Sequence, residues 1–135
     1  MAKSKLATQN SNTACPCGVG RFDQCCEPYL QQIIAAPTPE ALMRSRYSAY
    51  VLHNEVYLRA SWHPDTRPPG PILDPAVKWL GLEVKASSQM GNNGRVEFVA
   101  RHKEKSGQGA AQRLHEISRF VLEAGRWYYV DGQYE

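Results

Sequence analysis

All four cysteines of this chain fall within one short stretch, Cys15-Pro16-Cys17-Gly18-Val19-Gly20-Arg21-Phe22-Asp23-Gln24-Cys25-Cys26. Two thiols flanking a proline, then seven residues, then two adjacent thiols, form the donor set of a tetrahedral thiolate metal site. Thiolate sulfur is soft and suits zinc, and four thiolates leave no open position. The expected ion is therefore a structural Zn2+ held by Cys15, Cys17, Cys25 and Cys26, not a catalytic one. Pro16 stiffens the first turn, while Gly18 and Gly20 permit positive φ, so backbone amides can point at the sulfurs. Phe22 is expected to pack beneath the loop and Arg21 to offer an opposing charge. Bridged cysteines usually hold their Cα atoms about 4.4–6.8 Å apart, so a Cys-Pro-Cys or a vicinal Cys25–Cys26 disulfide would be strained. The C-x-x-C spacing of a thioredoxin-type motif is absent. Inert buried thiols would leave the clustering unexplained.

A second set of reactive residues draws interest from where periodicity puts it. From Thr38 to about His53, Leu42, Met43, Ala49 and Tyr50 share one helical face, with Arg46 at its centre and His53 near it. Arg44 and Ser48 point the other way. A guanidinium on an apolar face either snorkels to the surface along its stem or meets a carboxylate. Further on, Leu114, Glu116, Ser118, Phe120 and Leu122 alternate along a strand, placing Glu116 on its bulkier apolar face. The opposite row, His115, Ile117, Arg119 and Val121, is no easier to bury. Arg46 and Glu116 are therefore expected to pair between helix and sheet, as a structural link or as the floor of a pocket. Trp62 and His63 stand at a helix-to-loop junction before Pro64. His63 reads as a C-terminal helix cap ahead of a ligand contact or general base, with Trp62 in the core.

The elements that must hold these groups follow from the same pattern. Thr38 suits an N-cap, Pro39 the first helical position, and Glu40 the positive end of the helix dipole. A shorter helix runs from Asn54 to about Trp62, and a third helical turn is expected at Asp74 to Trp79. Leu80, Leu82, Val84 and Ala86 oppose Glu83 and Lys85 as a half-buried strand. Gly91-Asn92-Asn93-Gly94 signals a hairpin leading to an inner row of Val96, Phe98 and Ala100. The Leu114–Leu122 strand comes next, and Ala124-Gly125 turns the chain into a last strand from Arg126 to Asp131. Helices first and a four-strand antiparallel meander after them is an α+β layout. Residues 1–14 are expected to be a flexible tail, 15–36 the zinc-binding motif with its connector, and 37–135 the α+β domain. In the connector, Tyr29, Leu30, Ile33 and Ile34 have roughly the helical spacing needed to clip the motif to that domain.

With 135 residues, 42% hydrophobic and 21% charged, the chain has the composition of a globular protein with one core. Its net charge of +3 falls to +1 once four thiolates and a dication are counted. That is too little to expect nucleic-acid binding, and Arg101, Lys103 and Lys105 read as a solvated hairpin tip. Residues 1–14 contain no apolar run that could serve as a signal, and no stretch approaches the roughly 20 apolar residues of a membrane span. A cytoplasmic location is expected, where thiols stay reduced or metal-bound.

The run CPCG-x-G, followed by an aromatic residue and a Cys-Cys pair, resembles the SEC-C motif, the small zinc-binding element at the C-terminus of SecA. PTPEALMRSRYSAY, YLRASWHP and LHEISRFVLEAGRWYYVDG resemble the YchJ family of bacterial proteins, and the likeness runs from about Cys15 to Gly132. One departure is that the loop between the cysteine pairs is a residue shorter than the family more often has. The resemblance implies a SEC-C zinc element followed by a cystatin-like α+β domain of the nuclear-transport-factor-two-like kind. It implies no reaction. The expected function is that of a binding or adaptor module. The zinc knuckle would present a rigid surface to a protein partner, and the α+β domain would hold a small-molecule ligand or form a homodimer. The alternative is a small-molecule enzyme using His63 or Glu116 as general acid or base, with Arg46, Trp62 or Tyr47 holding substrate. A third reading is a scaffold with a structural zinc. No residue is assigned as catalytic, because this fold hosts enzymes and non-enzymes alike.

Overall fold

The computed structural model describes residues 13–107 and 109–135. Most of the expected tail, residues 1–12, lies outside them. A 3-10 turn at Phe22–Gln24 precedes helices α1 (Glu27–Leu30), α2 (Pro39–Val51) and α3 (Glu55–Ala60). Strands β1 (Val77–Met90), β2 (Asn93–Glu104), β3 (Gln112–Glu123) and β4 (Arg126–Tyr134) then form one antiparallel sheet in the order β1-β2-β3-β4. Among the described residues no helix is long and apolar enough to cross a membrane.

Local chemistry sets the helix starts. Thr38 has extended backbone angles, its Oγ1 accepts from the Ala41 amide at 3.0 Å, and Pro39 occupies the first turn where its missing N–H costs nothing. Asn54 caps α3 in the same way, its Oδ1 accepting from the Tyr57 amide at 3.0 Å. Glu55 then reaches forward to the amides of Ile72 and Leu73 at 2.9 and 3.1 Å. Arg59 donates to the carbonyls of Gly70 and Pro68. The proline-rich loop is thereby fastened along α3 and delivers the chain to the sheet.

Helix α2 is buried on two sides. Leu42, Met43, Arg46 and Tyr47 are buried on the sheet side together with Val96, Phe98, Ala100 and Phe120. The opposite side, marked by Arg44 and Ser48, is not solvent but the bed of the cysteine cluster, and Ser48 is fully buried there. Phe22 is buried beneath the cysteine loop, as its position in the sequence implies. The connector clips to the domain through Tyr29, Leu30 and Ala36. At Gln32 the chain takes a positive φ of 58° and leaves the helix, so Ile33 and Ile34 stay 70% and 53% exposed.

The strands differ from the sequence pattern in four places, three of them through register. The stretch Asp74 to Trp79 forms no helical turn; strand β1 has already begun at Val77, opposite Glu104. A bulge between Trp79 and Gly81 takes up Leu80 as an extra residue. Trp79 therefore joins Leu82 and Val84 on the core side. A second shift between Val84 and Ala86 leaves Ala86 exposed. Strand β4 continues to Tyr134, past Asp131, with an irregularity between Arg119 and Phe120 of β3 that makes Val130 the extra residue.

One glycine is required by space. Gly94, on the inner face of β2, lies against the start of α2, and a Cβ there would meet Pro39 Cβ at 2.9 Å and the Trp127 ring at 3.4 Å. Gly94→Ala is expected to destabilise the domain by about 1–3 kcal/mol, the usual cost of overpacking. A urea titration reads this as a lower midpoint at unchanged slope. An unaltered midpoint would mean that α2 can lift from the sheet without loss.

Candidate metal centre and interior cavity

The cysteine loop folds back on itself through backbone hydrogen bonds from Cys15 N to Gly20 O and from Gly18 N to Cys15 O, at 2.9 and 3.0 Å. Gly18 and Gly20 adopt φ of 95° and 65°, which side chains disfavour. All four sulfurs lie within 4.8 Å of one another. Cys17 Sγ is 3.6 Å from Cys25 Sγ, and Cys25 Sγ is 3.9 Å from Cys26 Sγ. A tetrahedron with metal–sulfur bonds of about 2.3 Å has edges of about 3.8 Å, so the donor set fits a four-thiolate ion such as zinc. Cys15, Cys17 and Cys26 are buried, and Cys25 sits at the edge.

Without a cation, four sulfurs cannot all ionise so close together. Hydrogen bonds from the Cys17 and Cys26 thiols hold Cys15 well below the ordinary thiol range. Burial pushes Cys25 up to about 12, and the hydrogen bond to Cys15 raises Cys26. The surrounding groups favour the charged form. Ser48 Oγ stands 3.6 Å from Cys15 Sγ, and Arg44 Nη1 donates to the Cys17 carbonyl at 3.1 Å while its Nε pairs with Glu40 at 2.9 Å. Arg21, expected as the opposing charge, instead closes a two-pronged pair with Asp23 at the surface. The neighbouring cation is Arg44. The helical periodicity already put Arg44 and Ser48 on one side of α2; nothing local tells that this side meets the cysteines.

A cavity of ≈ 240 Å³ opens between α2 and the inner face of the sheet. Tyr47, Tyr50, Trp79, Phe98 and Tyr129 form much of its wall, and its charged members are Arg46 and Glu116. Glu116 faces inward with Leu114, Ser118 and Phe120, as the alternation predicts. Its Oε2 accepts from Ser118 Oγ at 2.7 Å and from Tyr129 Oη at 3.0 Å. Gly132 on β4 is its backing: a Cβ there would overlap the Glu116 carboxylate.

Arg46 neither snorkels nor forms the expected ion pair. It is 5% exposed, and its Nη1 donates to Leu58 O at 2.9 Å and to Ser61 Oγ at 2.6 Å. Leu58 in the last turn of α3 is fully buried, so its carbonyl needs an internal donor, and Arg46 supplies one. Its guanidinium lies 5.1 Å from the Trp62 ring and 4.5 Å from the Tyr129 ring. Tyr129 therefore stands between the two charges, ring toward Arg46 and hydroxyl on Glu116. Burial, and then the Glu116 charge, raise the Tyr129 phenol above its usual value, so it remains a donor. Burial lowers Arg46, opposed by surrounding hydroxyls and by Glu116. Tyr129 was not among the residues singled out by sequence, since strand alternation marks it only as apolar.

Trp62 packs edge-on against Tyr129 at 4.9 Å, and its buried Nε1 has no hydrogen-bond partner among the described residues. His63 is elsewhere. Its Nε2 lies 3.0 Å from Glu123 Oε1, its Nδ1 accepts from the Asp65 amide at 3.1 Å, and its own amide donates to Tyr129 O. It does not cap α3, whose end is served by Arg46, Ser61 and by Arg67 Nη1 on Arg59 O. Of the four expected ligand residues, Arg46 and Glu116 share the cavity, Trp62 touches Arg46 from behind, and His63 faces a separate surface groove with Thr66 and Arg119.

A closed thiolate cluster seated on the first long helix of an α+β domain, with that helix laid across an antiparallel meander, defines a SEC-C-type element joined to an NTF2-like domain. The family model described as "YchJ, middle NTF2-like domain" matches residues 38–132, and the chain belongs to the YchJ family. It is 53% identical over 131 residues to a UPF0225 protein of Chromobacterium violaceum, covering 92% of this chain and 95% of that one. A UPF0225 protein of a Polaromonas species is also 53% identical, over 128 residues, with 87% and 91% covered. Among solved structures, a SEC-C motif containing protein from Rhodopseudomonas palustris superimposes with a TM-score of 0.78 at 39% identity, over 88% of this chain and 96% of that one. A second, from Psychrobacter arcticus, gives 0.73 at 30% identity, over 91% and 83%.

Proposed function

We propose that this chain is a zinc-stapled binding module: Cys15, Cys17, Cys25 and Cys26 hold one structural Zn2+, and the cavity beneath α2 takes a small ligand. The observation that carries this reading is the contrast between the two sites. The cysteine cluster has no position left for substrate, whereas the cavity stays open around two buried charges. The knuckle is read as a surface for a protein partner, supported by Val19 on its loop and by Ile33 and Ile34 just after α1, all exposed. The enzymatic alternative would have to rest on Glu116, since His63 lies apart from the cavity. Native mass spectrometry with metal analysis tests the proposal. One zinc per chain, together with a retained small molecule, is the expected result; a reduced sample free of metal would refute it. Ser48→Ala, which removes the hydroxyl beside Cys15, is expected to lower zinc affinity about 10- to 100-fold, as supporting groups around metal ligands usually do. Competition against a chromogenic chelator measures it.

A further inference from the structure

We infer that the cavity recognises a small carboxylic acid carrying a hydrogen-bond donor next to its carboxylate and an apolar body: an α-amino or α-hydroxy acid with an aliphatic or aromatic side chain. This rests on the reading of the cavity as a ligand site and gives that ligand a chemistry.

Arg46 is the starting point. Its Nη1 is engaged by Leu58 and Ser61, and the Tyr50 hydroxyl is a further neighbour of the guanidinium, but among the described residues no carboxylate lies within 4.0 Å of it, so part of the five-donor fork is left for a ligand. A guanidinium so deeply buried with donors to spare is a fork for a carboxylate, which it grips through two parallel bonds. Glu116 is the complement. Its Oε2 is used twice, while Oε1 accepts nothing among the described residues, although the side chain borders the same space.

The two charges together exclude simpler ligands. A plain anion would face the Glu116 carboxylate, and a plain amine would face the Arg46 guanidinium. A molecule with its carboxylate on Arg46 and an amino or hydroxyl group on Glu116 satisfies both, across the gap that Tyr129 spans. The rest of the wall, including Trp79, Phe98 and Leu114, is apolar and suits a hydrocarbon side chain. Size narrows the class further. A volume of ≈ 240 Å³ falls below the roughly 300–1,000 Å³ of pockets for drug-sized ligands, so nucleotides and peptides do not fit inside.

The test uses the metal-loaded full chain and a matched set: L-phenylalanine, L-leucine, 3-phenyllactic acid, phenylalaninamide, phenethylamine and 2-phenylethanol. Saturation-transfer NMR and calorimetry are expected to find binding by the amino or the hydroxy acids, with the amide, amine and alcohol weaker by at least about tenfold, the loss of one charge-assisted contact. Which acid binds better identifies the donor. Glu116→Gln is expected to weaken the amino acids more than 3-phenyllactic acid, and Arg46→Lys to weaken every acid. The ligand series itself needs no variant, so the proposal remains decidable if Arg46→Lys fails to fold. Amide or alcohol binding as tightly as the acids would overturn the acid class while leaving a ligand cavity. No binding by any of the six would overturn both.

Discussion

Stripping the metal, or replacing Cys26 with alanine, is expected to unravel residues 13–30 and to lower the stability of the whole domain by about 3–6 kcal/mol. The figure comes from two buried side chains, Phe22 and Leu30, each worth about 1.5–3 kcal/mol when returned to water. Neither is held by secondary structure that could persist alone. The 3-10 turn Phe22–Gln24 and the four-residue α1 are far below the roughly 12–15 residues at which an isolated helix becomes even marginal. What holds them is the closure of the sulfur cluster, with Thr13 O receiving the Phe22 amide and Ala14 bridging Arg21 at the loop's base. The loss reaches the domain because the far side of α2 lies under the cluster, so Ser48 would be left facing solvent or a void. Amide hydrogen exchange at Phe22 and Leu30, with a denaturation curve taken before and after chelation, reads both parts. Unchanged protection and an unchanged midpoint would show that the cysteine loop keeps its shape without an ion. Cys25, at the edge of the cluster, is expected to give a milder version of the same result.

The features legible in the sequence are those fixed by residues close together in the chain. The four sulfurs fall in one short loop, so their spacing already describes their convergence. The caps at Thr38 and Asn54 are decided within one turn, and both form as their residue types dictate. Alternation along β3 placed Glu116 inside because Leu114, Phe120 and Ser118 move with it as a set. What stayed hidden depends on partners far along the chain. The bulge at Leu80 is a property of β1 against β2, and no feature of β1 alone marks it. His63 met a local rule for a helix cap, but besides Asp65 its partners are Glu123 and Tyr129, sixty or more positions away. Arg44 and Ser48 read only as pointing away from the apolar face, because a helical wheel assigns one core. Here the second covering is made of cysteines, whose small apolar bulk carries no periodic signal.

Arg46 shows the same limit most sharply and leads to the largest effect expected within the domain. Its face was legible; its partners were not. Replacing it with alanine leaves Leu58 O with only the longer contact from Ser61 Oγ at 3.4 Å, removes the cation from between Trp62 and Tyr129, and strands Glu116 as the one charge of an apolar cavity. Breaking a buried charge arrangement from one side costs about 3–5 kcal/mol, and that loss is expected here. Because the two charges do not touch, the informative comparison is a cycle rather than a single variant. Arg46→Met keeps much of the stem and removes the charge; Glu116→Gln removes the other. If Tyr129 links them electrostatically, the double variant should be more stable than the sum of the single losses by about 0.5–3 kcal/mol, the range for directly coupled residues. Tyr129→Phe, which keeps the ring over Arg46 but takes the hydroxyl from Glu116, should reduce that coupling without abolishing the fold. Strict additivity in urea denaturation would instead mean that Arg46 is held for the end of α3 alone, and that Glu116 answers only to Ser118 and Tyr129.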